Sequence, residues 1–490
     1  MTHKSGTAGT IIVAVVATLM LAVSALAQDS ETVLHTFTGG HDGGVGGNNM
    51  VADSAGNLYG TTEAGGNKSS KCAPWTGLAG CGVVFELSPT KHGWREKVLH
   101  VFTAGKDGAV PNPGVILDSA GNLYGTTLFG GDHKPLFCQA GGPYPPGCGV
   151  VFKLTPTAHG PWTETVLYTF TGGEDGNEPG VSPTFDSNGN LYGTTGIGGN
   201  LSCGAYGCGV VFKLTPAEQG PWTESVLHTF NNSTDGGFPY NGGVTFDSQG
   251  NLYGTALYGG DVSASCNENP GCGVIYQLAP TPSGPWTETV LHAFTGGTDG
   301  AGPLFGVIFD SLGNAYGTTL WGGDTNGSNC LGGYGIGAPA GCGVVYELTQ
   351  TQGIWNETPL YTFTGGSDGA AGNSLLIFDS AGNLYGEAGS GGDLAAQNPD
   401  CYIGNEQAGC GVVFKLTPAE QAPWSESVLY TFTGGADGAS PTGNLLFDSA
   451  GNLYGMADYG GNDSECGGYG CGVFFELQQP QNASSSEQRR

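Results

Sequence analysis

The sequence has few basic residues. Its 13 Lys and Arg residues stand against 42 Asp and Glu, which gives a formal net charge of −29 over 490 residues. Proteins that grip phosphate groups need a basic surface, so this composition excludes nucleic acid and anionic membrane surfaces as partners. An acid excess fits solubility outside a cell, or attraction of cations.

Long apolar runs are equally scarce. The one such run, Ile11 to Leu21, follows Lys4 and precedes the small residues of Ala25-Leu26-Ala27. This order is typical of a secretory signal peptide, with an uncleaved membrane anchor as the alternative. We predict a signal peptide over 1–27, a secreted, extracellular protein from about Gln28, and no membrane attachment after cleavage. The polar, Ser-rich tail 479–490 is expected to be disordered.

What the chain does contain is a repeat. A Gly-Asn-Leu-Tyr-Gly core recurs at intervals of roughly 61 to 69 residues, with Ala315 replacing Leu in the fifth copy. The copies begin at Gly56, Gly121, Gly189, Gly250, Gly313, Gly382 and Gly451. Self-similarity at a long fixed period indicates a repeat architecture.

Each repeat contains four short strand-like segments separated by turn residues. In the third repeat they are Val181–Asp186, Asn190–Thr195, Gly209–Thr215 and Glu224–Phe230, from innermost to outermost. One small antiparallel sheet cannot cover both of its faces, but neighbouring copies can cover each other. The fold class is therefore predicted to be all-β, a seven-bladed β-propeller of four-stranded antiparallel blades over 28–478. A parallel β-helix is the rival, but its coils are shorter and lack repeated hairpin turns.

The order of the strands predicts how the ring closes. The chain begins with an outermost strand, Glu31–Thr38, and ends with a third strand, Gly472–Gln478. We expect these two to pair, so that the N-terminal strand completes the last blade and no sheet edge stays open. A Trp precedes every outermost strand except the first one in the chain. This exception lies where the two ends of the predicted ring of blades meet. A monomer is expected.

The cysteines come in seven local pairs, one in the loop between the second and third strands of each repeat. An even number in a secreted chain indicates disulfides. Zinc is the alternative, but it needs four ligands and each loop offers two thiols. The predicted disulfides are Cys72–Cys81, Cys138–Cys148, Cys203–Cys208, Cys266–Cys272, Cys330–Cys342, Cys401–Cys410 and Cys466–Cys471.

One Asp-Gly turn follows the outermost strand in every repeat. We call its aspartates the rim aspartates: Asp42, Asp107, Asp175, Asp235, Asp299, Asp368 and Asp437. They are expected on the same face as the loops that hold the cysteines. One interpretation is a ring for Ca²⁺ or sugar hydroxyls. The other, favoured by the sevenfold equality, is that each Asp stabilises its own turn. No cofactor or metal site is assigned, with Ca²⁺ at the rim as the alternative.

A few residues break the sevenfold pattern. Glu387 replaces the usual Thr in repeat six, and His41 and His133 lie in loops of the same face. Trp75 and Trp321 are expected to add aromatic surface there. Any acid–base pair would come from these residues, but no catalytic constellation is recognisable. In contrast, His35, His100, His228 and His292 share a strand position with Tyr, which indicates packing.

The motif Asp-Ser-Ala-Gly-Asn-Leu-Tyr-Gly-Thr-Thr, followed by Gly-Val-Val-Phe-Lys-Leu-Thr-Pro and Val-Leu-Tyr-Thr-Phe-Thr-Gly-Gly-x-Asp-Gly, resembles the GloVer tandem repeats of the choice-of-anchor group. The resemblance covers nearly all of 31–478. It implies an exported bacterial β-propeller and no established activity. Residues 479–490 contain no apolar anchor, sorting motif or Cys, so free secretion is expected. The Gly-Asn-Leu-Tyr strand is more loosely similar to NHL-type propellers and the virginiamycin B lyase group, without a residue match that carries over a lyase site.

The sequence therefore favours an extracellular binding or interaction module that presents disulfide-stapled loops to a glycan, a surface protein or a cation. The alternatives are an extracellular lyase or hydrolase with a site in the central funnel, and a structural scaffold without a small ligand. Propellers host all three.

Overall fold

The computed structural model is a seven-bladed β-propeller closed by its N-terminal strand. It describes residues 30–47, 49–67, 72, 78–134, 138, 145–158, 161–203, 206–217, 220–266, 269–281, 285–324, 330, 340–394, 401–403, 406–420, 423–461, 466 and 468–479. The predicted signal peptide, and the tail apart from Gln479, lie outside the described residues. No helix in the described part of the chain is long and apolar enough to cross a membrane.

The blades are numbered 1 to 7 in chain order, and each has an inner, a second, a third and an outer strand. The inner strands are Gly44–Gly46 with Val51–Ala52, Val115–Leu117, Thr184–Phe185, Thr245–Phe246, Ile308–Phe309, Ala370–Gly372 with Ser374–Leu375 and Ile377–Phe378, and Ala439–Phe447. The second strands are Leu58–Ala64, Leu123–Thr127, Leu191–Thr195, Leu252–Ala256, Ala315–Thr318, Leu384–Ser390 and Leu453–Tyr459.

The third strands are Val83–Thr90, Val150–Thr155, Val210–Thr215, Val274–Ala279, Val344–Thr351, Val412–Thr417 and Val473–Gln478. The outer strands of blades 1 to 6 are Gly93–Val101, Thr163–Thr169, Thr223–Thr229, Thr287–Ala293, Ile354–Thr362 and Ser425–Thr431. Two short hairpins, Ser265–Cys266 with Asn269–Pro270 and Tyr402–Ile403 with Glu406–Gln407, and a 3-10 turn at Leu201–Cys203 lie in loops.

Ring closure follows the prediction. The outer strand of blade 7 is Ser30–Thr36, which pairs antiparallel with Val473–Gln478 from the other end of the described chain. The first and last described strands are thus held in one sheet, and the predicted strand order of each blade is confirmed.

Aromatic rings form the contacts between blades. In all seven junctions a Phe that follows an outer strand meets a Phe or Tyr in the third strand of the next blade, as Phe170 meets Phe212 with ring centroids 5.2 Å apart. The Trp of each outer strand of blades 1 to 6 lies against the second-strand Tyr of the preceding blade, as Trp222 does against Tyr124. Edge-to-face pairs of this kind add to the hydrophobic burial. Each repeat therefore contributes one side of the interface with the preceding blade and one side of the interface with the next blade.

The repeated Gly-Asn-Leu-Tyr-Gly core has a physical reason at both glycines. Gly189 has a φ of +80°, which the turn requires and which side chains disfavour. At Gly193 a Cβ atom would lie 2.8 Å from the ring of Phe212. Only a residue without a side chain allows that ring to lie across the strand.

Candidate functional site

The Asp at the end of each inner strand is a turn residue, as the sequence predicts. In blade 3 the Oδ1 atom of Asp186 accepts hydrogen bonds from the backbone N–H groups of Asn188 and Asn190, both at 2.9 Å. Its Oδ2 atom accepts from the Asn190 amide at 2.6 Å and the Tyr192 hydroxyl at 3.1 Å. All seven blades repeat this set, which explains why Asp, Asn and Tyr recur together.

The rim aspartates also bond within their own turns. Asp175 Oδ2 accepts from the Thr171 backbone N–H at 2.8 Å and the Tyr168 hydroxyl at 3.1 Å, and Oδ1 accepts from the Thr171 hydroxyl at 2.6 Å. In blade 4 the Nε2 atom of His292 takes the place of the Tyr hydroxyl, 3.3 Å from Asp299. The position that holds His or Tyr therefore orients a rim carboxylate. Both oxygens of Asp175 are engaged, which supports the turn interpretation over a cation ring.

The charge state of the rim fits this role. Burial alone would raise the pKa of Asp299, but hydrogen bonds from His292 and Thr295 outweigh it and hold the pKa below its ordinary value. The same balance lowers the pKa of Asp42 and of Asp107. These groups are stable as carboxylates without a metal ion.

We expect Asp175→Ala to destabilise the fold by about 1–3 kcal/mol, because three donors lose their acceptor. Thermal melting with and without Ca²⁺ measures this. Asp132→Ala, at an exposed carboxylate on the same face, is the matched control and should change stability by less than about 0.5 kcal/mol. A Ca²⁺-induced rise in Tm that disappears only in Asp175→Ala would restore the cation ring.

All seven predicted disulfides are formed. The half-cystines are buried or nearly so, for example Cys208 at 0 % exposure. They close loops of 5 to 12 residues between second and third strands. A disulfide that closes a loop restricts the conformations of the unfolded chain. Disulfides persist in oxidising surroundings outside the cytosol.

The candidates that break the sevenfold pattern are scattered. His41 is exposed, and His133 is partly buried in the loop after the second strand of blade 2. Trp75 lies outside the described residues. Trp321 is 3 % exposed and packs in the core, where a Cβ on Gly302 would lie 2.6 Å from its ring. The expectation of aromatic surface at Trp321 is therefore corrected. Within the described residues neither carboxyl oxygen of Glu387 has a hydrogen-bond partner, so Glu387 is not paired with His41 or His133.

Glu387 does have acidic neighbours that the sequence did not single out. It is 0 % exposed in the second strand of blade 6. Asp458 is the penultimate residue of the second strand of blade 7. The pKa of its carboxyl is raised well above the ordinary value by burial, then by the charges of Glu63 and Glu387. Glu63, from blade 1, accepts a hydrogen bond from the Asn112 side chain. We call Glu387, Asp458 and Glu63 the carboxyl cluster. Asp458 and Glu63 occupy the same repeat position, which holds Leu or Gly in the other blades. This departure from the repeat is visible in the sequence and could have identified both residues.

The carboxyl cluster is not a preformed metal cage. Within the described ranges, no group of three His, Cys, Asp or Glu side chains converges so that it could hold a metal ion.

A cleft of about 510 Å³ opens on the face that carries the disulfide loops, within the range of small-molecule sites. Blades 2 to 5 contribute its described lining, which consists of Asn112, Leu128, Phe129, Glu178, Ile197, Tyr206, Phe238, Tyr240, Asn241 and Leu304. No Lys, Arg or His is among these lining residues. Tyr206 is 74 % exposed and stands at the edge.

The aromatic wall of the cleft depends on one glycine. Gly196 directly follows the second strand of blade 3, at a repeat position that holds Leu in blades 2, 4 and 5. A Cβ at Gly196 would lie 2.2 Å from the ring of Tyr240. Without a side chain there, Tyr240 lies against the strand, and its ring is nearly parallel to that of Phe238, with centroids 6.3 Å apart and 13° between planes. This aromatic wall was not predicted from the sequence. A signal was present, because Glu178, Phe238 and Tyr240 each lie next to the Pro that precedes an inner strand, and the repeats differ most from one another there.

Glu178 is the carboxyl group of the cleft. Burial raises its pKa to about 7, and no charged neighbour contributes to that shift. Near neutral pH it can accept hydrogen bonds as a carboxylate or donate one as a neutral acid. The cleft thus combines flat apolar rings, two amides and one titratable acid.

The central channel is narrow and amide-rich. Its volume is about 200 Å³, and all seven blades line it. Asn444 of blade 7 accepts a hydrogen bond from the Met50 backbone N–H of blade 1 at 2.8 Å, and Asn49 donates to Ser182 at 3.2 Å. These bonds tie blades together across the channel and leave little room for a ligand.

A further sevenfold feature was not anticipated. Each outer strand carries one partly buried Glu, and these are Glu31, Glu96, Glu164, Glu224, Glu288, Glu357 and Glu426. In each, the Oε1 atom is buried without a hydrogen-bond partner. Burial, followed by the rim aspartate of the preceding blade, raises the pKa of Glu224 to about 7 and that of Glu357 to about 8. We call these residues the outer glutamates.

Comparison with known proteins agrees with the repeat and the fold. The Gloeobacter/Verrucomicrobia repeat family model matches twice, over residues 71–331 and 264–486. The chain belongs to this repeat family. The two overlapping matches run from the loop before the third strand of blade 1 to the third strand of blade 7, as a tandem array requires. No curated protein matches the chain.

Solved structures similar to this repeat protein include enzymes. A luciferin-regenerating enzyme is 11 % identical, with 92 % of this chain and 96 % of that chain covered and a TM-score of 0.40. A putative glucose dehydrogenase from Thermus thermophilus is 12 % identical, with 92 % and 100 % covered and a TM-score of 0.38. An α-L-arabinofuranosidase from Fusarium graminearum is 11 % identical, with 89 % and 93 % covered and a TM-score of 0.38. Likeness at this level carries no argument about activity.

Proposed function

We propose that this repeat protein is a secreted, monomeric binding module, and that the cleft on its disulfide-stapled face binds a neutral glycan. The aromatic wall carries this proposal. Sugar rings present apolar C–H faces that pack against aromatic rings, and their hydroxyl groups need donors and acceptors such as Asn112, Asn241 and Glu178. A cleft lined without cationic side chains, on a chain of net charge −29, disfavours anionic ligands.

The stapled loops support the binding role because they hold the lining in place before a ligand arrives. Tyr206 lies two residues before Cys208, in a loop closed by a disulfide with a sequence separation of 5. A site that is already ordered loses less conformational entropy on binding. Seven disulfides also fit an extracellular location.

We expect Tyr206→Ala to weaken glycan binding about tenfold, because an exposed stacking ring contributes on the order of 1 kcal/mol. Glycan-array screening of the purified, oxidised protein, followed by calorimetric titration with the best ligand, measures this. Tyr469→Ala is the matched control: it stands two residues before Cys471 in blade 7 and is 52 % exposed, but it does not line the cleft. Equal weakening in both variants, or binding of anionic glycans alone, would contradict the proposal. An array without any binding would favour a surface-protein partner or a scaffold.

The second candidate is a lyase or hydrolase in the funnel, and the carboxyl cluster is the observation that favours it. Carboxyl groups with strongly shifted pKa values often mark active sites. However, Glu387 exposes no atom to a substrate, so it cannot act on one directly. Binding is therefore the better-supported function, and release of shorter sugars from the bound glycan, lost in Asp458→Asn, would overturn that preference.

A further inference from the structure

The junction between blades 6 and 7 is built differently from the others. Their inner strands pair in parallel, with Ser374 opposite Gly443. The Asn373 side chain donates to the Thr442 hydroxyl at 3.1 Å, and Gly443 N–H donates to the Asn373 carbonyl at 3.2 Å. Among the described strands this is the one parallel ladder between two blades.

In most blades a threonine hydroxyl bridges to the next blade from a fixed position in the second strand. The Oγ1 atom donates to a carbonyl at the start of the neighbouring inner strand, at 2.7 to 3.2 Å. The pairs are Thr126 with Val181, Thr194 with Pro239, Thr255 with Phe305, and Thr318 with Gly372. The position does not donate in every blade, because Met456 stands there in blade 7 and the Thr61 hydroxyl of blade 1 has no hydrogen-bond partner. Glu387 stands there in blade 6, and a carboxyl group donates only when it is protonated.

Among the described residues, no hydrogen-bond donor reaches the carboxyl group of Glu387 to stabilise a negative charge. Neither of its carboxyl oxygens has a hydrogen-bond partner. A Cβ on Gly455 would lie 2.9 Å from Oε1, so the second strand of blade 7 lies directly against the carboxyl group. The backbone N–H of Glu387 itself is taken by the Ser374 hydroxyl at 2.7 Å.

The groups that face Glu387 are neutral or negative. The inner strands contribute Ser374, Asn373 and Thr442, and Val413 is its neighbour in the third strand of blade 6. The charged groups in the described surroundings are Asp458 of blade 7 and, beyond it, Glu63 of blade 1. Burial raises the pKa of Glu387 well above its ordinary value.

We propose that Glu387 is a proton-operated contact that closes the junction of blades 6 and 7 as a neutral carboxyl group and loosens it as a carboxylate. The neutral form fits the enclosed contact without a hydrogen-bond partner, at the position where blades 2 to 5 have a bridging threonine. The ionised form places an unpaired charge beside Asp458 in an enclosed contact, which disfavours the closed junction. A proton neutralises the site, since no described trio of carboxyl groups converges on a metal ion.

The test compares the full oxidised protein with Glu387→Gln, which is isosteric and neutral, and Glu387→Thr, which restores the repeat. Melting is followed from about pH 5 to about pH 8.5, a range above the ordinary pKa of a Glu carboxyl, because burial raises the pKa of Glu387. We expect both variants to melt within about 1 °C of the unchanged protein at the acidic end and about 3–5 °C above it at the alkaline end. Hydrogen exchange, corrected for the intrinsic pH dependence, should show protection of 439–447 falling with pH in the unchanged protein alone, while 184–195 in blade 3 stays protected in all three.

Two results would overturn the proposal. One is a difference in Tm between the unchanged protein and Glu387→Gln that is the same at every pH. That result would mean that Glu387 acts through its size and shape and not through its charge. The other is a rise in the alkaline Tm with Ca²⁺, reversed by a chelator and absent in both variants, which would assign Glu387 to cation binding. Neither result bears on the cleft, whose glycan binding is measured separately.

Discussion

Removal of Ser30–Thr36 is expected to abolish cooperative folding or to lower Tm by at least about 5–10 °C. The strand pairs with Val473–Gln478 over six residue pairs, and without it the third strand of blade 7 becomes an open edge that bears the buried Phe474 and Phe475. Lost backbone hydrogen bonds and apolar burial together amount to roughly 5–10 kcal/mol, comparable to the whole stability of many domains. Calorimetry of the truncated protein measures the effect.

Two control proteins separate pairing from chain length. Removal of 480–490 shortens the other end and should leave Tm within about 2 °C. A circular permutant that joins Gln478 to Ser30 by a short linker, and opens the chain between 219 and 220 before another outer strand, keeps every strand pair and should fold. A truncated protein that melts like the full chain would show that the closing strand contributes little.

The second large effect concerns pH. We expect the propeller to be most stable near pH 5 and to lose about 5–10 °C of Tm between pH 5 and pH 8. The outer glutamates cause this, since their folded pKa values are raised, to about 7 for Glu164 and about 8 for Glu357. The folded protein then binds more protons than the unfolded chain between about pH 4.5 and pH 8, so stability falls as pH rises through that window.

The size of the pH effect is limited by solvent. A shift of one pKa unit corresponds to about 1.4 kcal/mol, but the outer glutamates are partly exposed, and screening reduces each contribution to roughly 1 kcal/mol. Seven such groups still sum to several kcal/mol. The turn aspartates act in the opposite direction, because their lowered pKa values, as at Asp186, make stability fall below about pH 4.

Replacement of one outer glutamate tests the assignment. Glu357→Gln should raise Tm at about pH 8 by about 1 °C and leave it unchanged at about pH 5, where both side chains are neutral. Glu174→Gln, at an exposed loop residue of blade 2, is the matched control and should shift neither value. A Tm that rises from pH 5 to pH 8 would contradict the role of the outer glutamates.

Much of the propeller could be predicted because each repeat forms the same contacts between residues that are close in the chain. The Asp-Ser-x-Gly-Asn-x-Tyr turn closes through its own side chains, as the four hydrogen bonds to Asp186 show. Cysteines 5 to 12 residues apart in one loop have one obvious partner each. The pairing of Ser30–Thr36 with Val473–Gln478 followed from counting strands in the first and last repeats. These features depend on neighbours in the chain or on a repeat that is itself visible.

The features that distinguish one blade from another depend on residues far apart in the chain. Tyr240 enters the cleft because Gly196 of the preceding blade has no side chain. Glu63 approaches Asp458 only because the ring brings blade 1 back against blade 7, and Glu387 approaches Asp458 from the neighbouring blade 6. Each outer glutamate acquires its raised pKa from burial against the preceding blade. The repeated sequence therefore determines the blades and the closure of the ring. The cleft and the enclosed charges arise from packing between different blades, and the repeat pattern alone does not show which residues meet there.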